Sequence, residues 1–294
     1  MMKSDQSSEI IWAIPCLNEE IAIGNVIARI KASCPGARII VFDNASTDGT
    51  IAVALAAGAE VRREANRGKG NVVRRIFRDC NSNVVIMIDG DNTNDVEAWE
   101  SLVGPVFSGA ADMVIGCRLD QSEEGAFRPM HHAGNLILGL LMRGFFKLPV
   151  RDVLSGYRAF SRRMYKAMPV EASGFEIETE MTLKAVEMKW SVAEVPTRYA
   201  CRPAGSHSKL RTFHDGLIIG FAIFRVLKDS KPFTFFGAIA LANFAAALVA
   251  LNMNATVFAA FLAFAGIMSG ATGVVLNAVS QRAKELMQIL AMRE

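Results

Sequence analysis

Two carboxylates one residue apart, Asp89 and Asp91, close the apolar run Val84-Val85-Ile86-Met87-Ile88. The run is rich in β-branched residues and reads as a strand buried on both faces, as in a parallel sheet. Carboxylates just beyond its carboxyl end lie where open α/β sheets bind ligands. There they suit a hard divalent cation, Mg²⁺ or Mn²⁺, that also takes oxygens from a substrate diphosphate. Taken alone, Asp89-Gly90-Asp91-Asn92 also reads as a solvated turn, since turns favour the same residues. The surrounding chain decides between the two.

Ile10 to Pro15 predicts a first strand that stops at Pro15. Cys16-Leu17-Asn18-Glu19-Glu20 then opens a helix, with Asn18 as its N-cap and acids in its first turn. A second strand over 39–42 ends in Asp43-Asn44-Ala45-Ser46-Thr47-Asp48-Gly49-Thr50, ahead of an alanine-rich helix at 50–57. A short third strand at 60–63 leads to Asn66-Arg67-Gly68-Lys69-Gly70-Asn71 and a helix at 71–79. That glycine-rich turn lacks the spacing of a P-loop and its Lys-Ser/Thr pair. Two readings of it stay open: a turn whose Lys69 and Gly70 line a nucleotide pocket, or a purely structural turn. A strand at 113–117 ends at Arg118; Asp152–Arg163, a helix near 173–189 and a strand near 191–198 complete the domain. Such alternation implies right-handed β-α-β units around a mostly parallel sheet, an α/β fold. The loops after Pro15, Asp43, Asp89 and Cys117 would then converge on one edge.

The chain has 294 residues, 51% of them hydrophobic, and a formal net charge of +3, which gives no reason to expect nucleic acid. Five cysteines without C-x-x-C spacing read as reduced, mostly buried thiols of a cytosol-facing protein. Residues 1–9 form a polar tail without a signal-peptide core. Residues 10–230 form the α/β domain. Within it, 128–147 and 209–228 have basic ends around apolar middles, so each reads as a helix lying in a membrane interface, with an amphipathic core helix as the alternative. From Pro232 to Gln281 there is not one charged residue, and the run breaks near Asn252-Met253-Asn254. Two helices result, each long enough to cross a bilayer core of ~30 Å. Lys228 and Lys231 before them, with Arg282 and Lys284 after, place both flanks and both termini in the cytoplasm and leave 282–294 as a cytoplasmic tail. Gly237, Ala238, Ala242, Ala246, Gly266, Ser269, Gly270 and Gly273 would allow close packing within the hairpin or between copies in a homo-oligomer.

I-P-C-L-N-E-E and D-N-A-S-T-D-G-T resemble the P-x-x-N-E and D-x-x-S-x-D-G-T patterns that open family-2 glycosyltransferases. The D-G-D resembles their metal-binding D-x-D. Asp152-Val153-Leu154-Ser155-Gly156-Tyr157-Arg158 is similar to the D-x-x-S-G-[FY]-R element of dolichyl- and polyprenyl-phosphate sugar synthases. The segments Gly174–Glu180 and Arg202–Leu210 match two more elements of that group, so six motifs occur in order over residues 10–230. Leu17 departs from the aromatic residue common there, and Thr93 from the glutamine that often follows D-x-D.

The resemblance implies a GT-A fold with a nucleotide sugar across its first half. Pro15, Asn18, Glu19, Asp43, Asp48, Lys69, Gly70, Asp89, Gly90, Asp91 and Arg118 would hold the nucleotide sugar, with Asp89 and Asp91 sharing the metal. Its implied acceptor is the phosphate of a polyprenyl lipid, undecaprenyl or dolichyl, with inversion at the anomeric carbon. Arg118, Arg128, Ser155, Arg158, Arg202 and Lys209 would hold that phosphate, Arg being suited to bidentate contacts. A lipid phosphate is already ionised near neutral pH and needs no strong base. The enzymatic alternative is transfer to a lipid or glycan hydroxyl, which requires a base, Glu178 or Asp152. Across the two readings the candidate catalytic residues are Asp91, Arg202, Glu178 and Asp152. Glu176, Glu178 and Glu180 also read as solvated surface or as braces for Arg158 or Arg202. A catalytically silent membrane adaptor is the alternative of another class. His131, His132, His207 and His214 lack metal-ligand spacing.

Overall fold

A computed structural model describes residues 9–123, 150–174, 176–203 and 231–291, with isolated positions between them. The segments 128–147 and 209–228, with Arg128 and Lys209, lie almost wholly outside the described residues. The chain forms two compact units, Met1–Ile218 and Ile219–Glu294.

In the first unit the elements run β1 (Ile10–Cys16), α1 (Ile23–Ser33), β2 (Arg38–Asp43), α2 (Thr50–Ala56), β3 (Glu60–Arg63), α3 (Lys69–Asp79) and β4 (Val84–Met87). A 3₁₀ turn (Val96–Ala98) leads into α4 (Trp99–Phe107), then β5 (Met113–Cys117), β6 (Arg158–Ser161), α5 (Arg162–Ala167), α6 (Ile177–Glu187) and β7 (Val192–Pro196). The strand order is β3-β2-β1-β4-β6-β5-β7. All pairings are parallel except those of β6, which runs against both β4 and β5. This GT-A-like mixed sheet is the expected α/β class. Because β6 is reversed, its first residue, Arg158, lies beside Met87 and Ile115, toward the carboxyl ends of β4 and β5. The loop before β6 therefore reaches the same edge as the loops after β1, β2, β4, β5 and β7.

β1 runs one residue beyond the expected stop and carries Pro15 inside a central strand. The Ala13 carbonyl accepts from Ile88 N–H at 3.2 Å, so it points toward β4. Pro15, two residues on, turns its missing donor to the same side. The β1–β4 ladder has already ended there, at Ala13 opposite Met87, so no bond is lost.

The sheet is packed on both faces. Ile10, Trp12 and Ile14 of β1 pack in one buried cluster with Ile23, Ile27 and Ile30 of α1 and Leu102 and Val103 of α4. Across the sheet Phe77 of α3 meets Phe160 of β6 edge to face, ring centres 5.3 Å apart. Each such side chain contributes about 1.5–3 kcal/mol by leaving water, so the strand ends are set on a stiff platform.

The described residues of the second unit form two helices, α7 (Pro232–Asn252) and α8 (Thr256–Ala291), both apolar enough and long enough to cross a membrane. Asn254 turns the chain between them with φ of 57°. Added Cβ atoms at Gly266 and Gly273 would lie 3.1 Å from the Phe244 ring and 2.9 Å from the Phe236 Cβ, so these glycines let α8 approach α7. Gly237 faces open space. α8 does not end near Gln281 as expected. Residues 282–291 contain neither Gly nor Pro, and an Arg282–Glu285 pair at 3.0 Å supports the added turns.

Candidate active site

The loops after β1 and β2 are tied to each other. Asn18, at φ of 53°, is not a helix cap; α1 begins after Ala22, which makes no side-chain cap bond. Asn18 N–H instead donates to Ser46 Oγ at 2.9 Å, and its Oδ1 accepts from Thr47 N–H at 2.8 Å. Glu19 N–H donates to Thr50 Oγ1 at 2.8 Å. Asp48 accepts from Thr50 N–H at 3.0 Å and from Glu20 N–H at 3.3 Å. Asp43 is fully buried, accepts from Ser46 N–H at 3.3 Å and lies 3.9 Å from Arg63 Nε. Asn44 carries no signal that separates it from an ordinary turn residue, yet it ties this edge to the glycine-rich turn. Its amide donates to the Glu64 and Asn66 carbonyls and accepts from Gly68 N–H at 2.7 Å.

The two glycines of that turn are explained by packing. A Cβ on Gly68 would lie 2.1 Å from the Ser173 carbonyl, and one on Gly70 2.1 Å from that of Ala172. Gly70 N–H donates to Ser173 at 3.0 Å. Residues 171 and 172 are in turn held by Glu180, which accepts their N–H groups at 2.9 and 2.6 Å. Gly70→Ala is therefore expected to cost about 1–3 kcal/mol, seen as a lowered Tm of the intact chain. An unchanged Tm would show that the 171–173 loop yields freely. Gly90 is likewise required where the β4 loop crosses β1, since its Cβ would lie 2.5 Å from Cys16 Sγ.

Between these glycines, Lys69 projects to the carboxylates. Its Nζ lies 2.6 Å from Asp89 Oδ1 and 2.6 Å from Glu178 Oε1. Burial would lower the Lys69 pKa, but the two carboxylates outweigh it and raise it. Burial likewise opposes the charge on Asp89, and Lys69 overcomes it, holding that carboxyl below the usual range. Asp89 also lies against Gly156, where a Cβ would come within 2.5 Å of Oδ2. The glycine of the S-G-Y-R stretch thus makes room for a carboxylate from another strand. Glu178 is a brace for Lys69, a partner that its sequence neighbourhood did not suggest.

Asp91 is almost wholly buried. Its Oδ1 accepts from Thr93 Oγ1 at 2.7 Å, and its Oδ2 lies 2.5 Å from Arg202 Nη2. Arg202 Nη1 is 3.7 Å from Glu19 Oε1. The segment after β7 brings Arg202 there because Ala200 N–H donates to the Thr93 carbonyl at 2.8 Å and Asn94 bridges to Tyr199. Glu19, Asp91 and Arg202, distant in sequence, thus meet at one point.

Three of the expected site residues, Arg158, Ser155 and Asp152, are fully buried. Arg158 is fully buried, its guanidinium spent on the carbonyls of Ser155, Val153 and Glu178 and on Thr182 Oγ1, at 2.6–3.0 Å. It is a strut between the β6 loop and α6, with burial pushing its pKa down to about 10. Ser155 is equally buried, and its Oγ accepts from Tyr157 N–H. Both are turned into the core beside the reversed β6, with their polar groups bonded to protein atoms. Asp152 is buried and forms a bidentate pair with Arg118, both contacts 2.8 Å, while also accepting Arg118 N–H at 2.9 Å. Held this way it is unsuited to act as a base. Arg118 in turn lies with its guanidinium carbon 5.1 Å from the centre of the Tyr199 ring. Burial would lower its pKa, but Asp152 dominates and raises it.

The acidic pair suits a hard divalent cation. Asp89 and Asp91 offer only oxygens, and an ion bound there would share them with Lys69 and Arg202. Among the described residues no group of three or more His, Cys, Asp or Glu forms a metal cluster. An ion here would draw its remaining oxygens from a diphosphate and water, as Mg²⁺-type sites do.

Residues 11–168 match the family described as Glycosyl transferase family 2. The glycosyltransferase AglJ of Haloferax volcanii is 35% identical over 235 residues, spanning 80% of this chain and 77% of that protein. A dolichyl-phosphate hexose transferase of the same organism is 28% identical over 215 residues, 73% of this chain and 92% of its own. Among solved structures, glucosyl-3-phosphoglycerate synthase from Mycobacterium tuberculosis, in complex with Mn²⁺, uridine-diphosphate-glucose and phosphoglyceric acid, aligns with a TM-score of 0.60 at 25% identity. That alignment covers 76% of this chain and 80% of the other. With more than half its length matched by the family and a relative above 30% identity covered over more than two thirds of its length, the chain belongs to glycosyl transferase family 2 and is a glycosyltransferase.

Proposed function

We propose that this chain is a membrane-anchored, inverting transferase that moves a sugar from a UDP- or GDP-sugar onto the phosphate of a polyprenyl lipid. One observation carries the choice of acceptor: both candidate bases are held by cations, Glu178 by Lys69 and Asp152 by Arg118. A hydroxyl nucleophile needs a base to take its proton. A phosphate brings its own charge and needs cations that hold it in line. Arg202 and Arg118 are the described residues proposed for that task, with Arg128 and Lys209 as further candidates. Asp89 and Asp91 would hold a Mg²⁺ or Mn²⁺ ion, which when bound would supply charge neutralisation for the departing nucleoside diphosphate. Pro15, Glu19 and Asp43 are proposed to line the nucleoside, on the loops that Asn18, Asn44 and Asp48 hold together. The dolichyl-phosphate hexose transferase relative and the two apolar helices support a lipid acceptor.

A second reading, transfer to a hydroxyl, is favoured by the name of the solved neighbour, a glucosyl-3-phosphoglycerate synthase. The direct test incubates membranes containing the chain with radiolabelled nucleotide sugars and polyprenyl phosphate. Label in an acid-labile lipid-linked sugar phosphate supports the proposal. Label only in a stable glycoside moves the assignment to the hydroxyl reading.

The proposed topology is a hairpin with both flanks cytoplasmic, a reading supported by Lys228, Lys231, Arg282 and Lys284. In a Cys201→Ser background, Asn252→Cys is expected to react with an impermeant thiol reagent added outside the cell. Ser7→Cys is expected to react only after permeabilisation. The reverse pattern would overturn the orientation.

A further inference from the structure

The loop bearing Asp89 and Asp91 is held from behind by a residue of α1. Arg29 Nη1 donates to Asn92 Oδ1 at 2.9 Å and to the Asn94 carbonyl at 3.3 Å. Its Nε and Nη2 donate to the two oxygens of Glu97, at 3.0 and 2.5 Å. Asn92 directly follows Asp91 and sits at φ of 58°, the left-handed region that Asn visits more readily than most residues. Such a conformation persists where the surroundings over-determine it. Here a cation fixes the Asn92 side chain, while the carbonyl two residues further on accepts from the same guanidinium nitrogen.

The geometry points to Arg29 as a positioning residue for the divalent-cation site: it locks the Asn92 turn so that the Asp91 carboxylate is presented in one orientation. The inference deepens the metal assignment proposed above and rests on it. Arg29 spends its donors on Asn92, Asn94 and Glu97 and acts on the cation only through the loop. A planar fork reaches all three partners at once, which a single ammonium does not. Groups that orient metal ligands from behind typically matter 10–100-fold in affinity.

The test titrates Mn²⁺ alone into the purified full chain and follows the free-Mn²⁺ signal by electron paramagnetic resonance. Arg29→Ala is expected to weaken Mn²⁺ binding by about tenfold. Asn92→Gly keeps the left-handed turn without its amide and is expected to lose a similar factor, with the double variant no weaker than either single one. Arg29→Lys should recover little, and Glu97→Gln, which leaves the Arg29–Asn92 contact in place, should change affinity by less than about threefold. In turnover, the Mn²⁺ concentration giving half-maximal rate should rise by the same factor in Arg29→Ala. Its kcat at saturating Mn²⁺ should stay within about twofold of the parent. A purely structural role would lower kcat and Tm without moving the metal dependence. Unaltered Mn²⁺ affinity in Arg29→Ala, or a kcat loss that saturating Mn²⁺ does not restore, overturns the inference while leaving the metal assignment intact. If Asp91→Asn binds Mn²⁺ as the parent does, or the parent binds none, the metal assignment itself falls and the role of Arg29 with it.

Discussion

Replacing Asp91 by Asn is expected to abolish sugar transfer in a chain that still folds and inserts. The substitution is nearly isosteric, so the side chain still fits its buried position, and an amide oxygen can still accept from Thr93 Oγ1, now at 2.7 Å. What disappears is the charge. Oδ2, which lies 2.5 Å from Arg202 Nη2, becomes either a neutral oxygen or an amide donor facing a donor. The proposed divalent-cation site would lose one of its two carboxylates in the same stroke. Preorganised charge at a departing diphosphate is worth several kcal/mol, so a rate loss on the order of 10²–10³ or more is expected. Circular dichroism and detergent extraction should match the parent, and a chelator should inactivate the parent until Mg²⁺ or Mn²⁺ is restored. Parental activity in Asp91→Asn with metal present would remove Asp91 from the metal site.

The second large effect separates the two acceptors. For a phosphate nucleophile, Arg202→Ala should reduce turnover by about 10² or more, since charge compensation and alignment are lost together. Glu178→Gln should cost about tenfold or less, because no proton must be removed and Asp89 still holds Lys69 at 2.6 Å. For a hydroxyl nucleophile the order inverts, since a positioned base contributes about 10²–10⁴. The quantity to measure is the ratio of the two variants' rates at saturating nucleotide sugar, with nucleotide binding and expression checked for each. Arg202→Ala carries a secondary effect through Asp91, so Arg202→Lys is measured beside it. A lysine that restores nucleotide affinity but not turnover places the deficit at the acceptor. A Glu178→Gln loss far exceeding that of Arg202→Ala would transfer the assignment to the hydroxyl reading.

What the sequence determined by itself is the part written in local periodicity. The strands at Ile10, Ile39, Glu60, Val84 and Met113 are short apolar or β-branched runs bounded by turn residues, and their alternation with helices already implies parallel neighbours sharing one edge. Asp89 and Asp91 were legible as carboxylates at such an edge. The uncharged stretch from Pro232 to Gln281 was legible as two long apolar helices, because length and composition alone decide that. Where helices stop was less legible: α8 runs on to Ala291 because charge does not end a helix that contains neither Gly nor Pro.

The tertiary structure decided which polar residues face the edge and which are buried beneath it. Ser155 and Arg158 read as phosphate ligands and Asp152 as a base, but beside the reversed β6 all three are buried, where they tie backbone and hold Arg118. Glu178 acquired its partner only when α6 was laid beside α3. Glu19, Asp91 and Arg202 became neighbours because β7 pairs with β5 in parallel and delivers its following segment to the same edge. No local pattern encodes these pairings, since each joins residues from separate strands or loops. Periodicity reports which face of an element is apolar; the charge a carboxylate meets depends on which elements the sheet order makes adjacent.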